Sequence, residues 1–169
     1  MTAPVSALAP VSAPSPKPAP KPALVIRAHA ADFVWRCGGA IAQHATLRYA
    51  VTVVCLSFGE RGGNAKLWKL PGMTEQNVKD ARRREAERAT EALGVHDLVC
   101  MDLGDYPLEL TRPDKHAPVD VIRKVPPRFI LSHSTYDPDN TDHMYATKVA
   151  LECRMIAQAW GRNPREPVP

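Results

Sequence analysis

His29 and Asp32 stand three residues apart where the chain changes character. Before them, Ala23–Ala28 is a short apolar run with β-branched Val25 and Ile26. After them, Phe33, Val34, Trp35, Ala40 and Ile41 recur at helical spacing. This predicts a strand that stops on a histidine and a helix that opens on an aspartate. Both side chains would emerge at the carboxyl edge of a sheet, where open α/β folds bind ligands. One imidazole and one carboxylate at this spacing can converge on a divalent ion such as zinc. Asp32 also sits where a helix N-cap belongs, and the pair by itself is compatible with that simpler role.

The elements that must position the pair follow along the chain. Ala31–Arg48 offers Val34, Cys37, Ile41, Ala42 and Ala45 to one helical face, and Gly38-Gly39 suits close approach of that helix to a strand. Ala50–Phe58 (AVTVVCLSF) is nearly continuous in apolar residues, as a parallel strand covered on both faces should be. It runs into Gly59-Glu60-Arg61-Gly62-Gly63, which is either a site loop carrying Glu60 and Arg61 or a solvated turn. Lys66–Met73 (KLWKLPGM) reads as an amphipathic loop, a lid or a packed crossover. Thr74 caps a helix that runs to about Leu93 and is stopped by Gly94, with Glu75 and Lys79 one turn apart.

Val95–Leu103 is a third predicted strand, and the stretch Leu108–Pro118 is irregular. Val119–Lys124 begins a short helix terminated by Pro126 and Pro127. Arg128–His133 is a fourth strand, followed by a polar loop, Ser134–Asp142, and a final helix, His143–Trp160. The alternation calls for an α/β fold with a mostly parallel sheet and right-handed crossovers. In the common doubly wound order 3-2-1-4, strands one and four are neighbours at the switch point. That order sets His29 and Asp32 beside His133, Asn140, Asp142 and His143. A third ligand from the last loop would complete a three-ligand site with an open position. His143, opening its helix, is the better candidate, while His133 is as readily a satisfied core histidine.

Composition sets the limits. The 169 residues suffice for one domain with a real core, and 44% apolar with 24% charged residues is ordinary soluble-protein usage. The net charge of +4 is mild, and no stretch interleaves clustered basic residues with aromatics, which argues against nucleic-acid binding. Cys37, Cys55, Cys100 and Cys153 form no C-x-x-C pair and read as reduced thiols of a cytoplasmic protein. No apolar run approaches a membrane span, and no secretory segment is evident. Residues 1–22 are Ala/Pro/Ser-rich and are expected to be a disordered or polyproline-like tail, leaving 23–169 as the domain.

The strings Ala28-His29-Ala30-Ala31-Asp32, Gly59-Glu60-Arg61-Gly62, Arg82…Glu85…Leu93-Gly94 and Asn140-Thr141-Asp142-His143 resemble the PIG-L/LmbE family. The resemblance runs from about Ala23 to the C-terminus and implies a Rossmann-like three-layer sandwich. It also implies zinc-dependent N-acetylglucosaminyl deacetylase ancestry, with His29, Asp32 and His143 as metal ligands. The family's first motif, A-H-P-D-D-E, carries its general base on the first aspartate. Here that position is Ala31, and the following glutamate is Phe33. The second motif, H-x-D-H, has Asn140 in place of its first histidine. Without a base to deprotonate the water, amide hydrolysis is disfavoured.

The strings AHAADFVWRCGGAI, VCLSFGERG, AKLWKLPGMT and LGDYPL are similar to a narrower branch, the 4-oxalomesaconate hydratases of bacterial gallate and protocatechuate breakdown. That implies a hydro-lyase adding water to a carbon–carbon double bond, giving 4-carboxy-4-hydroxy-2-oxoadipate. The expected cofactor is Zn2+ or another divalent metal. Glu60 and Asp142 are the carboxylates available for proton transfer. Arg36, Arg61, His133 and Asn140 are the expected substrate contacts, with the arginines and Lys66 or Lys69 suited to a tricarboxylate. A deacetylase with a relocated base and an inactive, truncated homologue are the alternatives. The resemblance further implies additional strands after this stretch, so the domain is expected to be incomplete at its C-terminal end, with an edge strand open to homo-oligomerisation.

Overall fold

The computed structural model describes residues 18–62 and 64–159. Of the tail expected over residues 1–22, residues 1–17 lie outside the described residues, as do Gly63 and Trp160. Lys21 and Pro22 belong to the first strand, and the last helix, expected to reach Trp160, ends at Gln158. The elements in order are β1 (Lys21–Arg27), α1 (Asp32–Thr46), β2 (Tyr49–Cys55), α2 (Ala65–Trp68), α3 (Glu75–Leu93), β3 (Asp97–Cys100), α4 (His116–Lys124), β4 (Ile130–Leu131) and α5 (Thr141–Gln158). The four strands form one sheet in the order β3-β2-β1-β4, and every pairing is parallel. This is the predicted order, and β1 and β4 are neighbours.

The sheet is covered on both faces, which makes three layers. Alternate β1 residues divide between the two sides. Leu24, Ile26 and Ala28 pack with Val119 and Ile122 of α4 and with Ala146, Val149 and Cys153 of α5. Ala23 and Val25 pack on the other side with Phe33 and Ile41 of α1 and Ala86 of α3. Residues 23–26 of β1 are fully buried, consistent with the unbroken apolar sequence of a doubly covered strand. Phe33 is also fully buried, and its truncation to alanine would cost about 3–5 kcal/mol.

Several bounds differ from expectation for local reasons. β1 begins at Lys21, which pairs with Tyr49. β4 is only two residues long, although pairing with β1 starts earlier through Arg128 N–H to Pro22 O and Leu24 N–H to Phe129 O. Prolines 126 and 127 just before it restrict the backbone and supply no N–H. α1 is kinked at Cys37, whose φ of −150° departs from helix. Gly38 then faces the Leu93 side chain of α3, not a strand. The expected loop after Gly63 contains α2, and Trp68 donates its indole N–H to the Glu60 carbonyl at 2.7 Å. α3 is bounded as predicted: Thr74 and Asn77 form a reciprocal capping box, and Gly94 adopts φ 69° as its C-cap.

None of the four cysteines forms a disulfide, and Cys55 and Cys153 are buried. Among the described residues no helix is long and apolar enough to cross a membrane.

Candidate metal centre

The two halves of the site are built by the ends of β1 and the start of α5. Beyond β1 the chain turns at His29, and Asp32 N–H returns to His29 O at 3.2 Å. Ala31, with no side-chain cap bond, is the N-cap of α1. Asp32 is therefore free to turn back, and its Oδ2 accepts the His29 N–H at 2.8 Å. Gly59, at φ 69°, passes so close that a Cβ there would sit 3.0 Å from that of His29. At the other half, Asn140 caps α5 by accepting the His143 N–H at 3.3 Å, which fixes Asp142 and His143 in the buried first turn.

His29, Asp32 and His143 offer one ligand atom each, all within 4.8 Å of one another. His29 Nδ1 is 3.1 Å from Asp32 Oδ2, and His143 Nε2 is 3.4 Å from Asp32 Oδ1. His143 Nε2 is buried and makes no hydrogen bond. A buried lone pair without a donor, converging with a second imidazole and a carboxylate, fits a divalent ion, and two histidines with one carboxylate are a zinc-type donor set. The outer nitrogen of each ring faces a further carboxylate: His29 Nε2 lies 3.2 Å from Asp142 Oδ2, and His143 Nδ1 lies 2.8 Å from Asp137 Oδ2.

The electrostatics follow from this packing. Burial lowers the His29 pKa, but the hydrogen bonds and charges of Asp32 and Asp142 outweigh it and hold it above the ordinary value. Burial raises Asp32, yet its bonds with His29 leave the carboxyl below its usual range. Asp142 is likewise opposed by burial but pulled down by the N–H groups of Leu108 and Tyr106.

The other expected site residues fall into distinct places. His133 Nε2 accepts the Ala28 N–H at 3.1 Å, so its lone pair is used; burial holds its pKa at about 3. Its ring stacks on His143, with centroids 4.1 Å apart. This is the satisfied histidine. Asn140 donates its amide to Tyr106 Oη at 2.8 Å besides capping α5. Asp142 accepts the Tyr106 and Leu108 N–H groups at 2.9 Å each, in addition to facing His29. Arg36 reaches Asp137 at 3.8 Å with half its side chain exposed. Arg61 bonds the Asp105 carbonyl at 3.1 Å and lies 3.5 Å from Glu75. Lys66 and Lys69 are exposed.

Glu60 is fully buried, neither carboxylate oxygen has a hydrogen-bond partner, and Lys79 Nζ is 3.8 Å away. Burial raises its pKa. Among the described bonds none joins Glu60 to His29, Asp32 or His143.

Three contributors escaped the sequence reading. Asp137 belongs to a polar loop that showed no pattern beyond its composition. Asp105 accepts the N–H groups of Arg61 and Gly62 at 3.1 and 3.0 Å, tying the loop after β2 to the loop after β3. Tyr106 stacks on His29, with centroids 5.7 Å apart and planes 10° from parallel. A cluster of acidic and aromatic residues at strand carboxyl ends was the available signal, and it does not say which of them turn inward.

The family described as GlcNAc-PI de-N-acetylase (PIG-L) matches residues 24–154. The chain is 55% identical over 146 residues to the 4-oxalmesaconate hydratase of Pseudomonas putida, an alignment covering 86% of this chain and 56% of that protein. It superposes on the solved structure of GalB, the 4-carboxy-2-hydroxymuconate hydratase of the same organism, with a TM-score of 0.84 and 55% identity, covering 88% of this chain and 61% of that one. The N,N'-diacetylchitobiose deacetylase of Pyrococcus horikoshii shares the fold at a TM-score of 0.75 and 23% identity, over 83% of this chain and 52% of that one. The chain thus spans little more than half the length of the hydratase it matches.

Proposed function

The chain belongs to the PIG-L family, and from that premise we propose that it is a metal-dependent hydratase acting on 4-oxalomesaconate. The observation that carries this reading is 55% identity to a 4-oxalmesaconate hydratase across 86% of the chain. The two relatives' substrate names describe keto and enol tautomers of one tricarboxylate, so both point to the same reaction. Water adds across the alkene, with hydroxyl at C4 and hydrogen at C5, to give 4-carboxy-4-hydroxy-2-oxoadipate. Ala31 supports hydration over amide hydrolysis, because the position that would carry a water-activating carboxylate has none.

A divalent ion, zinc by its donor set, would be held by His29, Asp32 and His143 and would supply Lewis acidity toward the 2-oxo acid group. The chain's own groups do the rest. Asp142, its oxygens already engaged by two N–H groups and facing His29, suits holding that imidazole in place. Glu60 is the carboxyl we assign to proton delivery at C5, since burial keeps it protonated to higher pH than an exposed glutamate. Arg36 and Arg61, each about half exposed beside the site's loops, are the groups we assign to substrate carboxylates. His133 and Asn140 support the neighbouring His143 and Tyr106, the first by stacking on the imidazole and the second by donating to the phenol oxygen.

The test follows the substrate's conjugated ultraviolet absorbance with the zinc-loaded chain, with and without chelator, alongside the Pseudomonas hydratase. Chelator-sensitive loss of absorbance is expected. Unchanged absorbance while the relative consumes the same substrate would overturn the assignment.

A further inference from the structure

We propose that Asp137 is a positioning residue that fixes which nitrogen of His143 is available to a metal; the proposal rests on the metal reading above. A neutral imidazole carries one proton, and its partner decides where that proton sits. Asp137 Oδ2 lies 2.8 Å from His143 Nδ1 and, as a carboxylate, accepts a hydrogen bond from the proton held there. Nε2 is thereby left as a bare lone pair, buried, without a hydrogen bond, 3.4 Å from Asp32 Oδ1. The stack on His133, at 4.1 Å and 8°, fixes the plane of the ring. A stack does not distinguish one ring nitrogen from the other; the bond to Asp137 does.

Asp137 is itself immobilised. Its Oδ1 accepts the Asp139 N–H at 3.3 Å, and its carbonyl accepts the N–H of Asn140 at 3.3 Å, the residue that caps α5. The loop that aims the carboxylate is therefore continuous with the helix start that presents the ligand. Asp142 stands to His29 as Asp137 stands to His143, so each imidazole of the centre is backed by a carboxylate from one short segment. Carboxylates in this outer position orient metal histidines and raise their basicity, and losing one weakens metal binding about 10–100-fold.

The experiment measures zinc affinity of the whole chain by competition with a chromophoric chelator, for wild type, Asp137→Ala, Asp137→Asn and Arg36→Ala. The expected order is wild type and Arg36→Ala together, Asp137→Asn weaker, and Asp137→Ala weakest, by about 10–100-fold. Arg36→Ala removes a partly exposed charge from Asp137 while leaving its bond to His143, so it separates charge from orientation. Asp137→Ala should also alter the visible absorption of the cobalt-substituted protein, which a merely structural role would leave alone. Long-range proton–nitrogen NMR on the zinc-loaded wild type supplies a readout independent of any variant, with His143 expected to carry its proton on Nδ1. A proton on Nε2, or wild-type affinity in folded Asp137→Ala, would overturn the proposal while leaving the metal centre standing. Wild-type protein that binds no zinc would overturn the metal reading and this proposal with it.

Discussion

Asp142 Oδ2 lies 3.2 Å from His29 Nε2, on the opposite side of the ring from Asp32. The imidazole is therefore held between two carboxylates, one able to share a metal with it and one able to take its outer proton. Asp142→Asn keeps the shape and weakens this hold. Zinc affinity should fall about 10–100-fold, with the melting temperature lowered as well because the same carboxylate receives the Tyr106 and Leu108 N–H groups. Chelator competition and thermal melting would register the two effects separately.

Metal analysis after zinc loading and desalting should return about one equivalent per chain for a three-ligand centre. His29→Ala should abolish that retention. Added zinc should raise the melting temperature of wild type but not of the variant, since a ligand that binds only the folded state stabilises it. A wild-type protein that folds and retains no zinc would contradict the ligand set.

N-acetylglucosaminyl substrates should not turn over above background. Ala31 offers no carboxylate, and Asp32 is committed to the His29 N–H and to the ring of the same residue. Ala31→Asp need not create activity, because Phe33 and Asn140 also differ from the deacetylase pattern. Robust amide hydrolysis by purified wild type would refute this.

Glu60→Gln should reduce hydration turnover roughly 10²–10⁴-fold while leaving zinc content unchanged. The separation is expected because no described bond connects Glu60 to the metal-ligand side chains. Steady-state kinetics paired with metal analysis on the same preparation would check it, and parallel loss of metal would reassign Glu60.

The same substitution has a pH signature in stability. Burial raises the Glu60 pKa from 4.5, so between that value and its folded value the native state binds a proton that the unfolded chain has lost. Its favourable contribution is complete below the unfolded pKa and disappears as pH rises through the folded one. Glu60→Gln carries no such titration. It should be more stable than wild type at neutral pH, with the difference closing toward pH 4. Denaturant titrations at several pH values measure this directly.

The sheet order and the convergence of His29, Asp32 and His143 were legible because they rest on strong, local signals. An unbroken apolar run in β2, the Thr74 and Gly94 caps of α3, and the strand–helix alternation leave few topologies, and the doubly wound one brings His29, Asp32 and His143 together. Asp137 and Tyr106 were not legible. Tyr106 is placed by Asp142 accepting backbone N–H groups 34 and 36 residues away, and Asp137 by bonds to Asp139 and Asn140 within its own loop, none of which any periodicity records. Asp32 as an N-cap was a sound local expectation, but its bond to the His29 N–H left the cap position to Ala31.

Gly62 has no side chain, yet a Cβ there would fall inside the Tyr106 ring. That ring is the shelf against which His29 stacks, and its hydroxyl accepts the amide of Asn140, which caps α5. Any side chain at position 62 must displace that ring, so a survey of substitutions along the chain would flag the position as intolerant in a functional screen. Such a position would look like a contact with the substrate, although what it contributes is vacancy.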